Sequence, residues 1–146
     1  MHYDNEFKLE MTALSKNESF ARVVAAAFAA QLDPIVSDIA DIKTAVSEAV
    51  TNAIIHGYGE NPKKGNVELR CGIAGDTVYI EVTDFGCGIC DIEKAMTPLY
   101  SGSACDERSG MGFTVMETFM DSVEVLSEPG KQTTVRMTKR IGACPH

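Results

Sequence analysis

Alternation of apolar and polar residues in five short segments is the feature that most narrows the folds open to this chain. Two segments flank Gly75-Asp76, and two more flank residues 128–131, Glu-Pro-Gly-Lys; both linkers are typical turn sequences. A period of two places one side of each segment in a core and leaves the other side exposed. We therefore predict a mixed, mostly antiparallel sheet of about five strands. Its inward residues would be Phe7, Leu9, Met11, Val67, Leu69, Cys71, Ile73, Val78, Ile80, Val82, Val123, Val125, Val135 and Met137.

Three other segments repeat apolar residues at the spacing of an α-helix. The first starts near Ser15 or Asn17, either of which is placed to cap it. The second runs from about Ser37 to Gly57, a residue typical of helix ends, and the third starts near Gly110. We expect the helices to cover one face of the sheet in a two-layer α/β sandwich. Their inward residues would be Phe20, Val23, Val24, Ala27 and Phe28 in the first helix, Ile39, Ile42, Val46, Ala49 and Ala53 in the second, and Phe113, Met116, Phe119 and Met120 in the third.

The size and composition of the chain favour one domain, spanning residues 1–146. Of its 146 residues, 45% are hydrophobic, which is enough for one ordinary core. No apolar run reaches the roughly 18 residues of a membrane span, and residues 1–6 lack the basic and apolar regions of a signal peptide. A net charge of -8 argues against direct nucleic-acid binding through phosphate neutralisation. We therefore expect a cytoplasmic protein that binds neither nucleic acid nor a membrane.

The five cysteines are expected to be free thiols, because an odd number scattered through a cytoplasmic chain does not indicate a disulfide framework. Cys87 and Cys90 have the spacing of half a zinc or redox site. The sequence has no second such pair, and His56 is its only interior histidine. A metal or redox role for the cysteines is therefore disfavoured.

The segment Glu48-Ala-Val-Thr-Asn52 places a carboxylate and a carboxamide one helical turn apart. Residues at i and i+4 project from the same face of a helix, and here the intervening positions are mostly apolar. Glu48 and Asn52 could be a solvated stripe on the second helix. They could instead be two functional groups aimed at one ligand.

Two glycine-containing segments follow. Asp84-Phe-Gly86-Cys-Gly88 comes at the end of a predicted strand, where glycines let backbone approach a ligand closely. The run 110–112, Gly-Met-Gly, opens the third helix, and the free amides at a helix N-terminus suit a phosphate. Taken alone, the first segment could be an ordinary loop that follows a strand, and the second could be an ordinary helix cap. Together with Glu48 and Asn52, they outline a nucleotide site.

These motifs resemble those of the GHKL superfamily, whose Bergerat ATP-binding fold is shared by gyrase B, the ninety-kilodalton heat-shock chaperones, MutL and histidine kinases. The N box corresponds to residues 48–58, Glu-Ala-Val-Thr-Asn-Ala-Ile-Ile-His-Gly-Tyr. Residues 17–58 are more specifically similar to the bacterial anti-sigma factor serine kinases that act in sporulation. Residues 107–113, Glu-Arg-Ser-Gly-Met-Gly-Phe, support the same assignment, and the resemblance covers nearly the whole chain.

The resemblance implies that Asp84 accepts a hydrogen bond from the adenine amine, with Gly86 and Gly88 allowing the backbone to pass under the ring. A threonine on a neighbouring strand, Thr133 or Thr134, would complete the adenine contacts, and the resemblance favours Thr133. The family usually has glycine before this threonine, and this chain has glutamine at position 132. The details of the adenine pocket should therefore differ from the family pattern.

The triphosphate end of ATP requires Mg²⁺, which accepts one or two protein oxygens and retains several waters. Asn52 is the expected metal ligand, and Glu48 is the expected base for an incoming hydroxyl. Arg108, Ser109 and the run 110–112 (Gly110, Met111, Gly112) would cover the charge on the γ-phosphate. Arg108 could instead make a surface ion pair with a neighbouring acid. Residues 91–110 have no regular period and, by resemblance, form a lid over the phosphates; the alternative is a disordered connector.

Three functions remain open. The resemblance implies an anti-sigma factor that is also a serine kinase: an ATP-bound homodimer holds a sigma factor and phosphorylates an anti-anti-sigma antagonist of the STAS type. The alternatives are the catalytic domain of a histidine kinase and a nucleotide-dependent binding module without transfer activity. The histidine-kinase alternative is disfavoured because the histidines are only His2, His56 and His146. The binding module is disfavoured because such a protein could leave position 48 apolar.

A protein-binding surface is predicted on the first helix. Glu18 and Arg22 should project from its outer face, away from the Phe20 stripe. The alternative interpretation is an ordinary solvated face.

Overall fold

The computed structural model describes residues 2–57, 65–86, 110–128 and 132–141. Within these ranges the chain forms five strands and three α-helices, with a 3-10 turn after the first helix and a π turn after the second. In chain order the elements are β1 (Asn5–Thr12), α1 (Asn17–Ala29), the 3-10 turn Ala30–Leu32, α2 (Val36–Asn52), the π turn Ala53–Gly57, β2 (Asn66–Ala74), β3 (Thr77–Asp84), α3 (Gly110–Phe119), β4 (Ser122–Glu128) and β5 (Gln132–Arg140).

The strands form one sheet in the order β1-β2-β3-β5-β4. Each neighbouring pair is antiparallel, so the sheet of the described residues is antiparallel throughout rather than mixed. Gly75, between β2 and β3, has φ +61°, a conformation that glycine adopts without steric cost. The five predicted strands and the turn at Gly75-Asp76 are confirmed.

The two faces of the sheet differ in chemistry. The inward residues predicted from the alternation are buried or packed against the core, beneath the helices. The other face carries ion pairs, including Arg70–Glu6 at 2.8 Å and Arg136–Glu81 at 3.5 Å. The domain therefore has one apolar core, between the sheet and the helices. None of the helices in the described ranges combines the length and apolar character of a membrane span.

Cys71 is the cysteine that falls within the described residues, and it is a buried free thiol on β2. Burial raises the pKa of this thiol to about 12, so it stays protonated and unreactive at neutral pH. Cys71 is therefore part of the core. Cys87 and Cys90 lie outside the described residues.

Helix α2 packs as its sequence predicts. Ile42, Val46 and Ala49 are buried, with Ile39 packed against the core and Ala53 buried at the start of the π turn. The π turn ends at Gly57, the position predicted to terminate the helix.

Helix α1 does not pack as predicted. Phe20 and Val23 are 50% and 56% exposed, and Ala27 is also exposed. The buried side is a seam of small residues together with Phe28: Ala21, Ala25, Ala26 and Ala29. Small residues such as alanine let a helix approach the elements it packs against closely.

The predicted cap of α1 is also wrong. The N-cap position is Lys16, and no side chain caps the helix. The Asn17 side chain instead donates a hydrogen bond to the carbonyl of Thr12, 2.8 Å away. This bond ties the start of α1 to the end of β1.

Candidate nucleotide-binding site

Asp84 and Thr133 meet at the end of two paired strands. Asp84 is the last residue of β3, Thr133 is its direct partner on β5, and both are almost completely buried. Thr134 lies on the opposite face of the sheet, where its hydroxyl is 2.9 Å from that of Thr83. Of the two candidate threonines, Thr133 therefore shares the helix-covered side of the sheet with Asp84.

The Asp84 carboxylate is positioned by the chain that follows it. Its Oδ1 accepts a hydrogen bond from the backbone N–H of Gly86 at 3.0 Å. A buried carboxylate requires donors, and its two oxygens can accept more than one. Asp84 therefore has the chemistry to accept from an exocyclic amine such as that of adenine.

Ser127 supports Thr133 and was not anticipated from the sequence. Its hydroxyl is 3.1 Å from the Thr133 hydroxyl, and it donates to the carbonyl of Gln132 at 3.2 Å. The sequence did contain a signal for this contact: a hairpin with its turn at residues 128–131 places Ser127 opposite Thr133, and the structure pairs these two residues. Ser127 fixes the Thr133 hydroxyl beside Asp84.

Asn52 is the last residue of α2 and is only 4% exposed, so it is not part of a solvated stripe. The π turn that follows packs against β3, the strand that ends in Asp84. Such turns inside or at the end of helices are frequent at functional sites. The turn carries the end of α2 onto the strand that holds the candidate adenine ligand.

Glu48 lies one turn before Asn52 and is half-buried. Burial, and to a smaller extent the negative charge of Glu18, raise the pKa of the Glu48 carboxyl above its usual value. A carboxylate with a raised pKa is a stronger proton acceptor. The environment of Glu48 therefore suits a general base.

Glu18 and Arg22 do not lie on an outer face of α1. Both are half-buried, and the Arg22 guanidinium donates to the Glu18 carboxylate at 3.0 Å. Arg22 lines a groove between α1 and α2, whose other lining residues are Ala40, Lys43, Thr44 and Ser47. Since Ser47 precedes Glu48, the groove reaches the neighbourhood of the candidate base.

The phosphate side of the site is only partly described. Gly110, Met111 and Gly112 form the first turn of α3, as predicted, and α3 packs against α2. Free amides at this helix start are suited to an anion. Gly88, Arg108, Ser109 and the predicted lid up to residue 109 lie outside the described residues.

The donor set fits the metal that the resemblance implies. Asn52 provides one neutral amide oxygen, and Mg²⁺ bound with ATP needs only one or two protein oxygens. A neutral ligand also makes metal binding depend on the phosphates, because Asn52 contributes no charge of its own.

Comparison with known proteins gives concordant results. Residues 11–139 match the model of the histidine kinase-like ATPase domain family. The anti-sigma F factor of Thermoanaerobacter sp. (strain X514) is 62% identical over 98% of this chain and 99% of its own length. That of Bacillus subtilis (strain 168) is 53% identical over 94% of this chain and 93% of its own length.

A solved structure shows the same fold. The structure of the RsbU and RsbW domains of Rv1364c from Mycobacterium tuberculosis superposes on 94% of this chain and 32% of that one, with a TM-score of 0.67 and 23% identity. The two-layer architecture predicted from the sequence is therefore confirmed at the level of fold.

Proposed function

The chain belongs to the histidine kinase-like ATPase family and, within it, to the anti-sigma F factors; on this premise we propose that it holds a sporulation sigma factor inactive and is a MgATP-dependent serine/threonine protein kinase. Its protein substrate would be an anti-anti-sigma antagonist of the STAS type, phosphorylated on serine. Since ATP and sigma factors are cytoplasmic, we place the protein there.

The observation that supports this proposal most is the arrangement at the end of α2. Glu48 and Asn52 lie one turn apart, and the turn after Asn52 packs on the strand that ends in Asp84. One helix end thus offers a metal ligand and a base beside a candidate adenine pocket. A protein that only bound nucleotide would have no use for the base.

Nucleotide binding would divide between two parts of the site, one for the adenine and one for the triphosphate. Asp84 and Thr133, at the β3–β5 end, bind the adenine through its amine and a shared water. Asn52 would hold Mg²⁺, which when bound neutralises part of the phosphate charge. Arg108, Ser109 and the first turn of α3 would lie over the γ-phosphate.

Phosphoryl transfer then requires a nucleophile. Glu48 takes the proton of the acceptor serine as the serine oxygen bonds to the γ-phosphorus, and the bond from that phosphorus to the β-phosphate oxygen breaks. The products are ADP and phosphoserine, with the proton left on Glu48. A neutral imidazole already has a free lone pair and needs less help, so a base at this position favours a hydroxyl acceptor.

Partner recognition would use the groove between the first two helices. Arg22 lines this groove, close to the residue that precedes Glu48. An acceptor or sigma factor that contacts Arg22, with Glu18 beside it, would lie next to the transfer site. We propose that the active form is a homodimer.

Transfer of labelled phosphate tests the proposal. Incubated alone with γ-labelled ATP, the protein should stay unlabelled; with a STAS-type antagonist from the same cell, label should appear on the antagonist and survive acid. Phosphoserine is stable in acid and phosphohistidine is not. Acid-labile label on the kinase itself would support the histidine-kinase alternative, and nucleotide binding without transfer to any partner would support the binding module.

A further inference from the structure

Lys139 is a buried cation on β5, on the side of the sheet that the helices cover. Thr133, Val135 and Met137 precede it on the same face of the strand, and only 8% of Lys139 is exposed. Lysine is rarely buried to this degree unless its charge is paired, because removing an ammonium group from water is costly. Neither nucleotide binding nor phosphoryl transfer, as proposed, uses this charge directly.

The Lys139 ammonium group joins three elements. Its Nζ donates a hydrogen bond to the backbone carbonyl of Phe119, the last residue of α3, at 2.9 Å. The same Nζ is 3.3 Å from Oδ2 of Asp41, in the first half of α2. The last carbonyls of a helix have no partner within the helix, and a cation is favourable beside them. We call Lys139, Asp41 and the Phe119 carbonyl the Lys139 clasp.

The Lys139 clasp shows how α2 and α3 run. The two helices pack against each other, and the clasp joins the beginning of α2 to the end of α3, so the helices are antiparallel. From Asp41 to Asn52, α2 rises about 16 Å, and from Phe119 back to Gly110, α3 rises about 14 Å. The helix ends that carry the candidate metal ligand and the candidate phosphate-binding turn therefore lie at similar distances from the clasp.

A second set of bonds holds the end of α3 to the sheet without reaching α2. The backbone N–H of Asp121 donates to the carbonyl of Thr138 at 2.9 Å. The Asp121 carboxylate accepts from the N–H of Arg140 at 2.6 Å. These bonds keep α3 on β5 with or without the Lys139 side chain. What the Lys139 clasp adds is a polar link between α3 and α2.

We infer that Lys139 is a positioning residue for phosphoryl transfer, which keeps the first turn of α3 aligned with Glu48 and Asn52 on α2. Transfer requires the γ-phosphate and the base in a near-attack geometry, and a misplacement of about 1 Å can cost about 100-fold in rate. A helix transmits a shift at one end to its other end. The inference rests on the proposed function, in which α3 binds the phosphates and Glu48 is the base.

Lys139→Met tests the inference, because methionine keeps most of the aliphatic chain and removes the charge. At saturating MgATP, single-turnover transfer to a STAS-type antagonist should slow about 10–100-fold. The ratio of the ADP to the ATP dissociation constant should fall about threefold, since α3 would no longer be aligned with the γ-phosphate. Affinity for ADP should stay close to that of wild type, because Asp84 and Thr133 still bind the adenine.

Cys71→Ala is the matched control for a purely structural role. Cys71 is buried on β2, a strand that does not pair with β5. Its variant should lower the unfolding temperature and leave both the transfer rate and the nucleotide ratio unchanged. If Lys139 only stabilised the fold, Lys139→Met would behave in the same way at temperatures well below its unfolding transition.

Asp41 offers a second position at which to break the clasp. Its side chain is 29% exposed, so its variants should fold even if Lys139→Met does not. Asp41→Leu removes the acceptor and should slow transfer, whereas Asp41→Asn keeps an oxygen for Nζ and should retain most of the rate. The double variant, Lys139→Met with Asp41→Leu, should be no slower than Lys139→Met alone, because residues that act as one unit are not additive.

Three results would overturn the inference. The first is a wild-type transfer rate and nucleotide ratio in Lys139→Met or, if that variant does not fold, in Asp41→Leu. The second is the same losses in Cys71→Ala, and the third is rate losses that multiply in the double variant. Failure of the proposed function looks different, because wild type itself would not transfer phosphate. The nucleotide ratio would then still decide whether Lys139 aligns α3 with the γ-phosphate.

Discussion

Helices α1 and α2 lie side by side on the same face of the sheet, yet they use their apolar residues in opposite ways. Beyond its exposed first residue, Val36, the large apolar residues of α2 point into the core or pack against it. In α1, Phe20 and Val23 are half exposed, and apart from Phe28 the buried residues are alanines. An apolar stripe at helical spacing therefore does not by itself identify the buried side of a helix.

The two helices also differ in what their polar residues offer. Asn52 is buried at the end of α2, and Glu48 is half-buried one turn before it. The Glu18–Arg22 pair of α1 borders a groove that is open to solvent. Under the proposed function, α2 would perform the chemistry and α1 would make the contacts with other proteins.

The largest expected effect comes from removing the base on α2. Glu48→Gln should slow phosphoryl transfer about 10²–10⁴-fold, because the acceptor hydroxyl loses its proton acceptor, while MgATP binds nearly normally. Single-turnover transfer and ATP titration on the same protein separate the two effects. The matched control is Glu117→Gln on the exposed side of α3, which should change neither. Wild-type turnover in Glu48→Gln would remove Glu48 from the mechanism.

A smaller effect is expected from Asp84, at the end of β3. Asp84→Asn should keep the fold and weaken ATP by about 1–3 kcal/mol, since the amide can present a donor to the adenine amine. Isothermal titration measures the loss. The control is Asp33→Asn, an exposed residue with φ 52° that asparagine tolerates. An affinity within twofold of wild type would place Asp84 outside the adenine pocket.

The comparison predicts the reverse pattern for α1. Arg22→Glu should weaken binding of a sigma factor or antagonist about tenfold, by reversing a charge in the groove, and leave ATP affinity unchanged. A pull-down with MgATP present measures partner binding. Lys8→Glu makes the same charge change on the outer face of the sheet and should have no effect. Full retention of partners by Arg22→Glu would indicate that the groove is only a solvated surface.

The smallest effect concerns the influence of α1 on the base. Burial is the main reason that the pKa of Glu48 is raised, and the charge of Glu18 adds to it. Glu18→Gln removes that charge and should lower the pKa of Glu48, so the acid limb of the pH–rate profile should move to lower pH. A shift to higher pH would contradict the assigned sign.

The sequence predicted the sheet and α2 well because most of their large apolar residues fall on one side. The pairing of Asp84 with Thr133 follows from the register of β3 and β5. Ser127 was missed because its role depends on its pairing with Thr133 between β4 and β5. Packing of α1 could not be read from periodicity, since its alanines and its larger residues both have helical spacing. Neither spacing nor geometry indicates a sigma factor, and that partner was inferred from the family alone.

The account depends most on the claim that the end of α2 binds the metal–phosphate half of ATP while the β3–β5 end binds the adenine. Titrating wild type and Asn52→Ala with ATP, with and without Mg²⁺, tests this claim directly. We predict that Mg²⁺ tightens ATP binding in wild type, and that Asn52→Ala loses most of this gain while keeping its affinity for metal-free ATP. An equal gain from Mg²⁺ in both proteins would contradict the account.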